Sequence, residues 1–142
     1  MNSYSHRNYL FTFNHDDIER SYIVHVPGDC KNNRDFPVVI MLHGAGATAD
    51  IIMEKTGWCD LADSEKFLVV FPNATRADPD KPPSFRDNPQ IWNLGSVPDD
   101  TRLMAVDDIG FISEVIDHVA GNYSVDRDHI YLTGFSNGAS MA

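Results

Sequence analysis

The chain has no apolar run long enough to cross a bilayer; none approaches the roughly 18 consecutive residues that a membrane helix needs. Its first ten residues, Met1 to Leu10, hold no apolar stretch of signal-peptide length either, so they predict no export signal. Positive charge is scarce: 11 Lys and Arg stand against 21 Asp and Glu, a formal charge of −10 over 142 residues. Such a surface repels phosphate backbones and anionic headgroups, which argues against nucleic-acid or membrane-surface function. Cysteine is nearly absent. Cys30 and Cys59 match no zinc or Cys-x-x-Cys spacing, and they stay open between one disulfide and two ordinary thiols. Internal repeats and low-complexity tracts are missing too. With 42% hydrophobic and 23% charged residues, the composition predicts one globular domain.

What is present reads as strands alternating with helices. Tyr9 to Phe13 and Arg20 to Val26 are rich in aromatic and β-branched residues and flank the polar Asn14-His15-Asp16-Asp17, which predicts a hairpin. Pro37 to Leu42, Phe67 to Phe71 and His129 to Thr133 read as buried strands, ending at a glycine cluster, at Pro72 and at Gly134. Ala49 to Lys66 has loosely spaced apolar residues with Gly57 as a break. Val106 to Ala120 is the better helix. There Ile109, Ile112, Val115, Ile116 and Val119 share a stripe, Asp107 and Asp108 fill the first turn, and Gly121 is expected to close it. Between Pro72 and Asp100 the prolines cluster and periodicity fades, so this is a long excursion of the functional or mobile kind. The order predicts an α/β fold, a mostly parallel sheet with helices on both faces and an antiparallel N-terminal hairpin.

Two short motifs carry chemistry. Gly134-Phe-Ser136-Asn-Gly138 is a G-x-S-x-G sequence placed directly after a strand and before helix-forming Ala139-Ser-Met-Ala142. A sharp strand-to-helix turn needs small residues on both flanks, and it pushes the serine hydroxyl out of the sheet edge. Ser136 is thereby a candidate nucleophile. His43-Gly44-Ala45-Gly46 follows a strand end, where small residues let backbone N–H groups face a ligand. Ala45 N–H and Asn137 N–H are the candidate oxyanion donors. His43 is a poor general base in this arrangement and reads as a structural histidine. His43, Gly44, Trp92 and Asn93 are candidates to line a substrate pocket, although a tryptophan packing the excursion to the body is an equal reading. Asp107-Asp108 has no histidine at ligand spacing, so it reads as helix-dipole stabilisation, and no metal site is predicted.

Taken together, Leu42-His-Gly-Ala-Gly46, Gly57-Trp-Cys-Asp-Leu-Ala62, Phe71-Pro-Asn73, Gln90-Ile-Trp-Asn93, Val106-Asp-Asp-Ile-Gly-Phe111 and Thr133-Gly-Phe-Ser-Asn-Gly-Ala139 resemble the polyhydroxybutyrate depolymerase and feruloyl-esterase group of α/β-hydrolases. The resemblance runs from about Arg20 onward. It implies an α/β-hydrolase-type fold and hydrolysis of polyhydroxyalkanoate-like, short-chain or feruloyl-type esters through an acyl-enzyme on Ser136. It implies no metal and no organic cofactor. Members are often exported, whereas this chain shows no signal, so its compartment stays open. In such enzymes the triad runs serine, acid, histidine. Six residues follow Ser136, none of them Asp, Glu or His, and all six histidines (His6, His15, His25, His43, His118 and His129) precede it. The expectation is therefore a single incomplete domain over residues 1–142, truncated after the nucleophile turn. Its Ile130 to Thr133 strand would become an open edge that favours self-association. Two rivals stand beside this: a non-catalytic chain of the same fold serving binding or assembly, and an acyltransferase using the same serine.

Overall fold

The computed structural model describes residues 7–28, 35–95, 103 and 105–142. It opens with a hairpin of β1 (Asn8–His15) and β2 (Ile18–His25), paired antiparallel from Asn8↔His25 to His15↔Ile18. The strands run further than predicted, leaving only Asp16 and Asp17 as the turn. Both have positive φ, 50° and 60°, the mirror-image turn that matches strand twist and that Asp tolerates. β3 (Phe36–Leu42) and β4 (Leu68–Pro72) follow. Between them lie α1 (Ala49–Lys55) and α2 (Trp58–Glu65), separated at Gly57, whose φ of 72° breaks the helix as expected.

The excursion after β4 is anchored by a two-residue antiparallel pair, β5 (Thr75–Arg76) and β6 (Gln90–Ile91). Inside it, Asn88 is 3% exposed and its side-chain amide donates to the carbonyls of Asp78, Lys81 and Pro82. One buried amide thus holds the proline-rich turn. The long helix α3 (Asp108–Asn122) leads to β7 (Val125–Gly134) and the short α4 (Asn137–Met141).

The main sheet has the order β1-β2-β4-β3-β7. β1, β2 and β4 pair antiparallel, while β4, β3 and β7 pair parallel. Period-2 alternation sends successive residues of the central strands to opposite faces. Tyr22, Val24, Ile40, Leu42, Leu68 and Val70 pack with Phe111, Val115 and Val119 of α3. Ile23, Met41, Val69 and Phe71 pack with Ala49 and Ile52 of α1 and Ala62 of α2. The helices therefore cover both faces, and β3 and β4 are apolar throughout because both sides are buried.

Two helix details differ from the sequence expectation. Ile109 is 71% exposed, and Phe111, 0% exposed, takes its place against the sheet. Gly121 does not close α3. The helix continues to Asn122, and Tyr123 N–H caps onto Val119 O, because Val119 packed on the sheet holds the last turn. At the other end Asp107 lies just before the first turn in which the sequence expectation places it; it is the N-cap and accepts from Gly110 N–H at 2.9 Å. Of the two cysteines, Cys30 lies outside the described residues. Cys59 is a free thiol whose pKa is pushed up to about 11, by burial first and then by Asp63 and Asp60; it is inert at neutral pH. No described helix is long and apolar enough to cross a membrane.

Candidate active site

The register of β3 with β7 builds the site. Leu42 lies opposite Gly134, so the loop after β3 and the turn after β7 emerge side by side. Phe135 N–H donates to Leu42 O across them at 3.1 Å. The chain then reverses into α4 within two residues. Ser136 is forced to φ 52° and ψ −118°, a conformation that costs a non-glycine residue about 1–3 kcal/mol. Both flanking glycines are required. A Cβ on Gly134 would meet Ala139 N at 2.6 Å, and one on Gly138 would meet Leu42 C at 2.6 Å. Gly44 faces the turn from the other loop, where a Cβ would lie 3.4 Å from Ser136 Cβ. Ser136 itself is exposed.

Of the two candidate oxyanion donors, Asn137 follows Ser136 in the chain and Ala45 follows Gly44, which faces the turn. Asn137 is the first residue of α4, so its N–H has no acceptor within the helix. Its side chain is committed: Oδ1 accepts from Trp92 N–H at 2.8 Å and Nδ2 donates to Trp92 O at 3.2 Å. In the 43–46 loop, Gly46 N–H donates to Gln90 O at 2.9 Å and Ala47 N–H to Gly44 O at 3.1 Å. Ala45, exposed at the tip of the turn, is the residue between them.

The four expected pocket residues are held by hydrogen bonds and packing. His43 and Trp92 are 0% exposed. His43 Nδ1 donates to Gly44 O at 2.8 Å and Nε2 accepts from Ala74 N–H at 3.0 Å. Burial lowers its pKa, so the ring stays neutral with both nitrogens occupied, the structural histidine expected. Trp92 Nε1 donates to His43 O at 2.9 Å, which ties the excursion to the β3 loop. Gly44 is buried against Phe135. Asn93 Nδ2 donates to Val106 O at 2.8 Å, closing the excursion onto the start of α3.

Sequence reasoning missed the partner that secures this closure. Asp108 accepts from Asn93 N–H at 2.7 Å through Oδ2 and pairs through Oδ1 with Arg20 Nη2 at 2.7 Å. The Arg20 guanidinium also sits 3.7 Å over the Phe111 ring. An arginine beside the apolar run Tyr22 to Val24 was the available signal. A cavity of about 520 Å³, lined by Arg20, Ser21, Ala74, Thr75, Gln90 and Leu103 among others, lies beside β2 and does not include Ser136.

Residues 29–142 match the phospholipase/carboxylesterase family. Poly(3-hydroxyalkanoate) depolymerase C of Paucimonas lemoignei is 32% identical over 117 residues, 82% of this chain and 25% of that protein. Feruloyl esterase B of Thermothelomyces thermophilus is 23% identical over 118 residues, 83% of this chain and 36% of that one. Among solved structures, an S-formylglutathione hydrolase from Agrobacterium tumefaciens superposes with a TM-score of 0.73 at 19% identity, over 93% of this chain and half of that chain. The chain thus spans a quarter to a half of the lengths of these proteins. The order of its strands, the turn at Ser136 and the family match over four-fifths of its length agree: the chain belongs to the phospholipase/carboxylesterase family of α/β-hydrolases.

Proposed function

We propose that this chain carries the nucleophile and the oxyanion donors of a serine carboxylesterase. Ser136 Oγ attacks the ester carbonyl as a base takes its proton. The carbonyl oxygen becomes an oxyanion held by Ala45 N–H and Asn137 N–H. Collapse expels the alcohol, which takes the proton back, and water then releases the acid from the acyl-serine. The observation that carries this reading is the strained φ of Ser136 between two obligatory glycines. Strain of this kind is kept where a side chain must be presented. The engaged Gly46 N–H leaves Ala45 as the loop's donor.

Among the described residues no histidine is hydrogen-bonded to Ser136. His15 pairs with Glu114, His25 with Asn8 and Asp63, His43 with the backbone, His118 with Tyr22 and His129 with Asp126. In this proposal a histidine and an acid outside these 142 residues complete the triad. The names of the relatives favour polyhydroxyalkanoate-type or feruloyl esters as substrates.

A fluorophosphonate probe on the active, intact enzyme should label Ser136 alone, as read by peptide mass spectrometry. A label on another residue, or none on the active enzyme, refutes the assignment. Ala45→Pro deletes one donor and should lower kcat by about 10² or more; near-normal turnover in the folded variant removes this loop from the site. Acyl transfer to an added alcohol, by product analysis, separates a transferase.

We infer further that the isolated chain self-associates. Among the described residues β7 pairs on one side only, and Tyr131, Leu132 and Phe135 are exposed beside that edge. An open edge with apolar side chains seeks a partner. Light scattering on a size-exclusion column should show more than one chain per particle in moderate salt; a sharp monomer with cooperative unfolding refutes it.

A further inference from the structure

The hairpin turn and the start of α3 bring together one histidine and three carboxylates that ester hydrolysis does not use. His15 ends β1, Asp16 opens the turn, Asp107 caps α3, and Glu114 stands on that helix two turns later. His15 Nδ1 lies 2.5 Å from Glu114 Oε2. A carboxylate at that distance accepts a hydrogen bond from Nδ1–H, which leaves Nε2 as the nitrogen turned to the other two carboxylates. The His15 side chain is 12% exposed, and its Nε2 is buried with no hydrogen-bond partner. That atom stands 3.7 Å from Asp16 Oδ2 and 3.8 Å from Asp107 Oδ2. Three acceptors from three residues therefore converge within 4.8 Å, and what their midpoint calls for is positive charge.

The surroundings are built for this convergence. Asp107 divides its carboxylate, Oδ1 capping the helix through Gly110 N–H while Oδ2 faces His15. Gly110 makes the approach possible, since a Cβ there would lie 2.9 Å from Asp107 Cγ and 3.1 Å from His15 Cε1. The buried cation Arg20 is paired with Asp108, although it also acts on Asp107 through its charge.

We propose that His15 Nε2, Asp16 and Asp107 bind one divalent transition-metal ion of the zinc type, with Glu114 orienting the imidazole. A carboxylate behind a ligating histidine fixes its tautomer and raises its basicity. One imidazole with two carboxylates suits zinc better than magnesium or calcium, which take all-oxygen shells. Bonds of about 2.0–2.2 Å to a shared ion bring ligand atoms to roughly 3.3–3.6 Å apart, so the two spacings from His15 Nε2, 3.7 and 3.8 Å, need only a few tenths of an ångström of contraction. The ion would pin the hairpin turn to the start of α3. This inference is independent of the role of Ser136.

Zn(II) titrated into the intact protein by calorimetry should bind with one ion per chain at this site, and Mg(II) at the same concentration should not. Asp16→Asn and Asp107→Asn preserve the turn and the cap, because Asn suits both positions; each should weaken zinc binding at least tenfold. Glu114→Gln should weaken it by about tenfold. Long-range ¹H–¹⁵N NMR should show the His15 Nε2 resonance shifting on zinc addition while Nδ1 keeps its proton. No zinc binding at millimolar concentration, or unchanged affinity in both aspartate variants, overturns the proposal. So does an NMR titration in which zinc leaves the His15 Nε2 resonance unshifted.

Discussion

Replacing Ser136 with glycine should abolish ester hydrolysis in the intact enzyme and at the same time stabilise its fold. The hydroxyl is the only group of the turn that can form the acyl bond, so kcat should fall by about 10⁴ or more. The backbone effect has the opposite sign. Ser136 sits at φ 52° and ψ −118°, a region glycine enters freely and serine enters at a cost of about 1–3 kcal/mol. The unfolded-chain entropy of glycine offsets about 0.5–1 kcal/mol of that relief. A net gain of about 1 kcal/mol is expected in urea unfolding. Residual turnover within tenfold of the parent enzyme would remove Ser136 from the chemistry. A clear loss of stability would mean that the turn is not strained.

The second large effect belongs to the buried pair Arg20 and Asp108. Arg20→Met should destabilise the fold by about 3–5 kcal/mol, and Asp108→Leu by a similar amount. Both side chains are almost wholly buried, 1% and 0% exposed. Burial works against the Arg20 charge and lowers its pKa, while Asp108 opposes that shift. Removing one partner leaves the other charge uncompensated in a medium that solvates it poorly. Against a total stability of about 5–15 kcal/mol, either loss is severe. The double variant should recover much of it, since the uncompensated charge is gone. It keeps a deficit of about 1–3 kcal/mol from Asn93 N–H, which loses its acceptor. Urea unfolding of all four proteins gives the coupling energy directly. Strictly additive single effects would show that the ion pair is incidental.

Much of the architecture was legible along the chain because it rests on local patterns. β3 and β4 announce themselves as unbroken apolar runs, since strands covered on both faces leave no place for a polar side chain. The turn at Ser136 was legible because its pair of glycines follows a strand and precedes a helix, although Gly138 is also required by the close approach of Leu42 from β3. Asp107 as a cap follows from the helix itself. The aspartates of the hairpin turn also stand where local chemistry puts them, although the strands reach closer to the turn than their composition indicates.

Local pattern could not decide which residues meet across the fold. His43 carries the same imidazole whether it faces a cleft or the core; only the packing of Trp92 and Ala74 around it makes it a neutral brace. Ile109 and Phe111 both fit a helical stripe, and the position of β2 and Arg20 beneath α3 selects Phe111. The helix runs past Gly121 because Val119, seated on the sheet, outweighs the local preference to stop. Arg20 and Asp108 lie 88 residues apart, and His15 and Glu114 lie 99 apart. The sequence determined the candidate nucleophile and the strands that present it, because those depend on neighbours within a few residues. The tertiary structure alone decided the buried ion pair, the braced loop and the histidine–carboxylate cluster. Each depends on charge and burial that exist only once β2, the excursion and α3 have closed on one another.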